Sequence, residues 1–278
     1  MAHCIIPAAE EILDKEIPVL DKGFIRLVDY MGGDARIVQS ARVSYGEGTK
    51  SVREDGALID YLLRNQHTSP FEQVVLTFHI KLPIFVARQW IRHRTARVNE
   101  ISGRYSIMKD DCYVPAIEDI SYQSLNNKQG RSDEKIPDEI AFGIQKKIED
   151  QQKEIFSGYN DLITENIARE LARINLPLST YTEWYWQIDL HNLFHFLRLR
   201  CDGHAQKEIR DYASIMLDIT RRVAPLATAS FDRYQRNSVT FSGEELLALK
   251  AMLKGEKPAL EGKPLARFEE KLKTGRQL

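Results

Sequence analysis

The sequence predicts an α+β fold, an antiparallel sheet packed with long helices in one large domain, and three observations lead there. Recognisable strands are few and lie between long stretches of helical periodicity, the pattern of segregated rather than alternating elements. The segment Leu76 to Leu82 alternates cleanly between apolar and polar residues, as a strand with one covered face does in an antiparallel sheet. With 278 residues, 43% of them hydrophobic, the chain can build one substantial core. The principal body is expected over residues 1–235, followed by a helical extension over 236–278.

Residues 24–45 mix short apolar runs with Gly32-Gly33 and lead into ARVSYGEG, where Gly46 and Gly48 mark a turn. In the first clear strand Leu76, Phe78, Ile80 and Leu82 point one way while Thr77, His79 and Lys81 point the other. Pro83 ends it and opens a helix over 83–94, since IFVARQWIRHR contains no breaker. Residues 106–136 are polar and read as irregular. A long helix over about 137–160 follows, with Ile140, Ile144, Ile148 and Ile155 on one face, a break near Gly158, and Lys146, Lys147 and Lys153 on a solvated face. IARELARI forms a short helix ending before Pro177.

In TYTEWYWQI, Thr180, Thr182, Trp184, Trp186 and Ile188 alternate with polar neighbours, which makes a second strand. Asp189 is placed to cap the helix LHNLFHFLRLR, which runs into Asp202-Gly203. An amphipathic helix over about 204–223 turns Ala205, Ile209, Ala213, Met216 and Val223 inward. In the tail, Ser242 and Glu245 have capping-box spacing, with Phe241 and Leu246 as a hydrophobic staple.

Several function classes are disfavoured. Lys+Arg (39) and Asp+Glu (40) nearly cancel, so no overall field draws the chain to nucleic acid or an anionic membrane. The stretch Val74 to Ile91 is interrupted by His79, Lys81 and Arg88 and is no membrane span. Cys4, Cys112 and Cys201 are widely separated and form no CxxC pair, which fits a reducing compartment. The acid-containing start MAHCIIPAAEEILDKE has no basic segment before an apolar run, so a cytoplasmic location is expected.

Chemistry concentrates after the first strand. On a helix over 83–94, Gln89, Arg92 and His93 share a face, and no acid occurs between Pro83 and Asn99. Arg88, Arg92, His93, Arg94 and Arg97 therefore form a local positive spot, which either complements a helix dipole or holds an anion. The following NEISGRYS favours the second reading, because it offers a carboxylate, a hydroxyl, a flexible glycine and Arg104 in one loop. The ligand these residues describe is anionic, a phosphate ester.

Two rival readings use other residues. His191 and His195 at i, i+4, with Asp202 and His204, suggest a metal site in a nucleotide hydrolase, although HNLFH lacks the acid of HExxH. The arginine-rich helix with Trp90, Tyr105 and Tyr113 as stacking groups suggests an RNA-binding module.

The run RHRTARVNEISGRYS resembles the signature of flavin-dependent thymidylate synthases: Arg-His-Arg, seven residues, then Ser. ARVSYG (41–46), HTSPFEQVVLTFHIKLPIFVARQW (67–90), ARINLPLSTYT (172–182) and LRLRCDGHAQKEIRDYA (197–213) are similar to the family in the same order. The resemblance covers about residues 20–230; the stretch near 119–140 and the tail look like additions to the shortest members.

The resemblance implies an enzyme that converts dUMP to dTMP, with methylenetetrahydrofolate as carbon donor and NADPH as reductant acting through bound FAD. By similarity the flavin contacts are Ser44, His67, Ser69, Arg92, His93, Arg94, Glu100, Asp189, His191 and His195. dUMP contacts are Gln89, Arg92, Glu100, Ile101, Ser102, Gly103, Arg104, Arg173 and Arg200. Arg200 is the catalytic group, stabilising the uracil N3 anion. Many relatives have Asn at the positions of Asp189 and His195, and Arg at that of His191; here Asp189 serves chiefly as the helix cap. No His and acid adjoin Ser102 in sequence to activate it, so it is assigned to binding. The family forms homotetramers with sites between subunits, and neither a resident metal, a nucleic acid nor a membrane is expected as partner.

Overall fold

A computed structural model of the chain describes residues 4–43, 52–125 and 130–274. Its centre is a five-stranded sheet in the order β1 (Ile17–Val19), β2 (Gly23–Met31), β3 (Val75–Pro83), β7 (Tyr181–Asp189), β4 (Arg97–Glu100), every pairing antiparallel. A separate hairpin joins β5 (Ser121–Gln123) to β6 (Arg131–Lys135). The helices are α1 (Pro7–Glu10), α2 (Asp34–Arg42), α3 (Val52–Arg64), α4 (Ile84–Trp90), α5 (Asp138–Thr164), α6 (Arg169–Ala172), α7 (Leu190–Arg200), α8 (Lys207–Val223), α9 (Pro225–Phe231), α10 (Gly243–Leu253) and α11 (Gly262–Thr274). The predicted α+β class with an antiparallel sheet is what the chain adopts. Among the described residues no helix is long and apolar enough to cross a membrane.

The two strands legible in the sequence are the middle of the sheet. Leu76, Phe78, Ile80 and Leu82 of β3 are wholly buried, and Trp184, Trp186 and Ile188 of β7 lie beside them in register, with Phe78 opposite Trp186 and Ile80 opposite Trp184. Helices α4, α7 and α8 cover this face. At its centre Trp90, fully buried, meets Phe196, Trp186, Trp184 and Tyr212 at ring separations of 4.6, 5.4, 5.8 and 6.0 Å. Truncating such a residue to alanine costs about 3 to 5 kcal/mol. The other face keeps polar groups, among them His79, which stacks on Tyr185 at 4.7 Å.

Tyr212 also fixes a close approach. Its hydroxyl donates to the Lys81 carbonyl at 2.7 Å, passing so near Gly23 that a Cβ there would stand 2.0 Å from the oxygen. Only glycine fits where β2 begins.

Several expectations need correction. The helix expected over 83–94 is only Ile84–Trp90: Pro83 ends β3, and α4 stops where buried Trp90 anchors the chain before it reverses into β4. Residues 106–136 contain the β5–β6 hairpin, whose polar strands lack an apolar alternation to announce them. α5 passes unbroken through Gly158, and its buried ridge is Ala141, Gln152, Phe156 and Tyr159, with Ile140 and Ile144 exposed. Gln152 goes inside because its amide donates to the Tyr113 carbonyl at 2.9 Å and Ser179 Oγ at 3.0 Å. The expected helix over about 167–174 is a short α6 continued by a 3-10 turn over Arg173–Asn175.

In the tail, Ser242 and Glu245 form the expected capping box on α10. The expected staple partner Leu246 is exposed; Phe241 instead meets buried Phe268 of α11 edge-on at 6.0 Å. Lys271 ties the two helices by donating to both Glu245 oxygens at 2.8 Å.

Candidate active site

Two helix ends converge below β4. α7 starts at Asp189, whose Oδ1 accepts from the Asn192 backbone N–H at 3.0 Å and whose Oδ2 accepts from the Asn192 amide at 2.8 Å. Leu190, Leu193, Phe194, Phe196 and Leu197 bury one face of α7, which leaves Arg200 at its last turn, half-buried, facing the end of α4. There Arg200 Nε donates to His93 Nε2 at 3.1 Å and Nη2 donates to the Gln89 carbonyl at 3.4 Å.

His93 sits edge-on to Phe196 at 4.9 Å and 5.8 Å from the His195 ring. Burial, with the Arg200 guanidinium and His195 adding to it, depresses its pKa to about 4. A neutral imidazole is therefore present at pH 7, and its Nε2 is free to accept. Burial lowers the Arg200 pKa as well, yet a guanidinium starts so high that it stays charged. Among the described residues no carboxylate forms an ion pair with Arg200, and both of these hydrogen bonds go to neutral acceptors. A partly desolvated cation without an anion favours an anionic ligand.

Because α4 ends at Trp90, Arg92 and His93 lie in the following turn, closed by the His93 N–H on the Trp90 carbonyl at 3.0 Å; they do not share a helical face with Gln89. Arg92 and Arg94 point to solvent. The segment read as one loop begins as strand β4, with all four residues exposed on a sheet edge. Glu100 at its end accepts from Thr182 Oγ1 at 2.6 Å, and the Ile101 N–H continues the ladder to the Glu183 carbonyl at 2.9 Å.

The turn proper starts at Ser102, whose carbonyl accepts from the N–H groups of Tyr105 and Ser106, both at 3.0 Å. Its Oγ accepts from the Arg104 N–H at 3.3 Å, a turn role rather than that of an activated nucleophile. Gly103 lies against Arg173: a Cβ there would be 3.0 Å from Arg173 Cδ and 3.1 Å from Met108 Sδ. Arg104 Nε is 3.3 Å from Glu170, an exposed pair that an incoming phosphate could displace at small cost. Ser102, Gly103, Arg104 and Arg173 are thus brought together.

A third group lines a cleft of about 330 Å³ between α3, α7 and the segment before the tail. His67, His191 and His195 meet there with Arg64, Arg198 and Tyr234. Ser69 is exposed nearby in sequence but does not line the cleft, and Ser44 lies outside the described residues. Asp189 is spent on capping. Sequence reasoning missed Arg198, although it follows His191 and His195 on the same helical period of α7, and it missed Tyr234, Gln235, Ser238 and Thr240 because they follow no periodic pattern and only the turn of the chain after α9 brings them to α7. A smaller pocket of about 170 Å³ joins His93 and Arg94 to Ile91, Val98, Trp184 and Trp186.

The rival readings fare less well. Trp90 and Tyr113 are buried, so neither can stack on a base. Asp202 holds its own neighbour His204, 2.8 Å from Nδ1, and among the described residues no group of three or more His, Cys, Asp or Glu is placed to hold a metal.

A family model described as "Thymidylate synthase complementing protein" matches residues 26–226, and one described as "Thymidylate synthase ThyX C-terminal domain" matches 239–278. The chain belongs to the flavin-dependent thymidylate synthase family. A protein named flavin-dependent thymidylate synthase from Treponema denticola is 70% identical over 266 residues, covering 96% of this chain and all of the relative. The Treponema pallidum protein of the same name is 64% identical, covering 100% of this chain and 91% of its own length. Among solved structures, the UMP/dUMP methylase PolB from Streptomyces cacaoi bound with 5-Br UMP superposes with a TM-score of 0.71 at 29% identity, over 79% of this chain and 98% of that one. The chain is accordingly an enzyme.

The donor set fits the flavin that the family name implies. A flavin dinucleotide brings two phosphates and a flat, hydrogen-bonding ring system; Arg92 and Arg94 offer exposed guanidinium groups, and the cleft adds Arg64, Arg198 and three imidazoles. Its volume is at the lower end for ligand pockets, enough for part of such a molecule.

Proposed function

We propose that this flavin-dependent thymidylate synthase family member methylates dUMP at C5 to give dTMP, with methylenetetrahydrofolate as carbon donor and NADPH as reductant acting through FAD. The observation that carries the reading is Arg200, a half-buried guanidinium held by His93 and the Gln89 carbonyl with no ion-pair partner among the described residues. Bound FAD would supply hydride transfer between NADPH and the one-carbon unit.

The chain's own residues bind and polarise the nucleotide. Arg104, Arg173 and the Ser102–Gly103 turn receive the dUMP phosphate, a group needing several charge-assisted hydrogen bonds. Arg92, Glu100 and Ile101 complete the approach from the sheet edge. Arg200 faces the pyrimidine and favours its N3 anion, which makes C5 a better nucleophile; a shift of two pKa units there corresponds to roughly 2.7 kcal/mol. Neutral His93 aims the guanidinium without competing for its charge. His67, Arg92, His93, Arg94, Glu100, His191 and His195 hold the flavin, with Ser44 and Ser69 as further contacts.

The exposed position of β4, with Ile101 and Tyr105 exposed beyond it, supports a site completed by a second copy in a homotetramer. We assign the enzyme to the cytoplasm, residues 1–235 to catalysis, and 236–278 to a helical extension.

The test is direct. Purified protein should show a flavin absorption spectrum and form dTMP, detected by mass spectrometry, from dUMP, methylenetetrahydrofolate and NADPH. Omitting either co-substrate should stop it. FAD-loaded protein that makes no dTMP would overturn the proposal.

A further inference from the structure

Glu208, in the first turn of α8, is 1% exposed and lies outside the groups assigned above. Three donors surround it. Tyr113 Oη donates to it at 3.1 Å, Gln206 Nε2 at 2.8 Å, and Arg131 of the β5–β6 hairpin through Nη2. Burial alone would raise its pKa, but the Arg131 guanidinium outweighs that and holds it ionised.

An ionised carboxylate only accepts. Gln206 must therefore turn its NH2 toward Glu208, and its Oε1 faces the opposite way. That oxygen accepts from Gln89 Nε2. Gln206 is oriented by Glu208 and Gln89 by Gln206, so the Gln89 amide is held with its NH2 toward Gln206 and its carbonyl oxygen turned away, available to accept. The Gln89 backbone carbonyl meanwhile accepts from Arg200 at 3.4 Å, which ties the backbone of this residue to the catalytic guanidinium.

We propose that Glu208, charge-balanced by Arg131, is a positioning residue that fixes the polarity of Gln89, so that the site presents a hydrogen-bond acceptor to a donor group of the bound nucleotide. The proposal rests on the assignment of Gln89 to dUMP. It also gives the hairpin a role in the site. Arg131 supplies the charge that lets a carboxylate remain ionised inside the protein, and the carboxylate then dictates the direction of two amides. A neutral residue at 208 would leave both amides able to reverse.

The test compares steady-state kinetics for Gln89→Ala, Glu208→Gln, Arg131→Lys and the double variant Arg131→Met/Glu208→Gln, each loaded with FAD. Glu208→Gln should raise the KM for dUMP about tenfold while kcat stays within about twofold, the effect of one misdirected hydrogen bond. Arg131→Lys keeps a cationic donor and should retain a near-normal KM. The double variant removes both charges of the pair, so that no carboxylate or guanidinium is left without its partner, and should match Glu208→Gln.

A normal KM in Glu208→Gln and in the double variant, with Gln89→Ala raised, overturns the relay and leaves the nucleotide assignment standing. A normal KM in Gln89→Ala overturns that assignment, and the relay with it.

Discussion

Arg200 and His93 are joined by a hydrogen bond that can run in only one direction, from the guanidinium Nε–H to the imidazole Nε2 at 3.1 Å. Protonating His93 would set two cations against each other and remove the acceptor. The bond therefore requires a neutral histidine, and the surroundings supply one by burying the ring beside Phe196.

The first prediction concerns pH. The His93 pKa is about 4 in the folded protein, whereas an unfolded histidine titrates near 6.5. Between these values the unfolded chain binds more protons, so stability is complete above pH 6.5 and is lost as pH falls toward 4. Thermal melts should show this decline, and His93→Gln, which keeps an acceptor without the titration, should flatten it.

Arg200→Ala should lower kcat/KM for dUMP about a hundredfold, matching a loss of roughly 2.7 kcal/mol of anion stabilisation. Flavin content per mole, read from the visible spectrum, should stay close to normal. Equal loss of flavin and turnover would remove Arg200 from its role at the pyrimidine.

Gly103→Ala places a methyl group 3.0 Å from Arg173 Cδ and 3.1 Å from Met108 Sδ. Both neighbours are flexible, so the melting temperature should barely change. Displacing Arg173 from the Ser102 turn should nonetheless raise the KM for dUMP several-fold, and a deoxyuridine lacking the phosphate should show no such difference.

Phe268→Ala should cost about 3 to 5 kcal/mol within the tail, since the ring is wholly buried against Phe241. Hydrogen exchange should report the loss over α10 and α11 and leave the amides of β3 and β7 protected. Loss of protection in the central strands would mean that the tail and the sheet unfold together.

The parts of the fold that the sequence announced are those where one periodicity acts alone. β3 and β7 alternate strictly, and Asp189 and Ser242 sit at cap positions with the spacing a cap needs. β4 was hidden because Arg97 to Glu100 forms an exposed edge, held by backbone pairing to β7 rather than by apolar alternation. The extent of α4 was overestimated because RHR is compatible with a helix, and what ends it is tertiary: Trp90 is fixed among four aromatic rings. At the site, the charge of Arg92 to Arg104 was legible, but the meeting of Arg200 with His93, 107 positions apart, needed the fold. The cleft walls Tyr234 to Thr240 carried no signal that chain periodicity can express.

Those walls have a consequence for how occupancy can be observed. Tyr234, Gln235, Ser238 and Thr240 line the histidine cleft, and Ser242, the cap of α10, follows almost at once. Any molecule that grips the folded wall stabilises it by mass action, about 2.7 kcal/mol at a hundredfold excess over Kd. The C-terminal helices are thereby a built-in reporter: resistance of the tail to protease should titrate with FAD, without a single turnover.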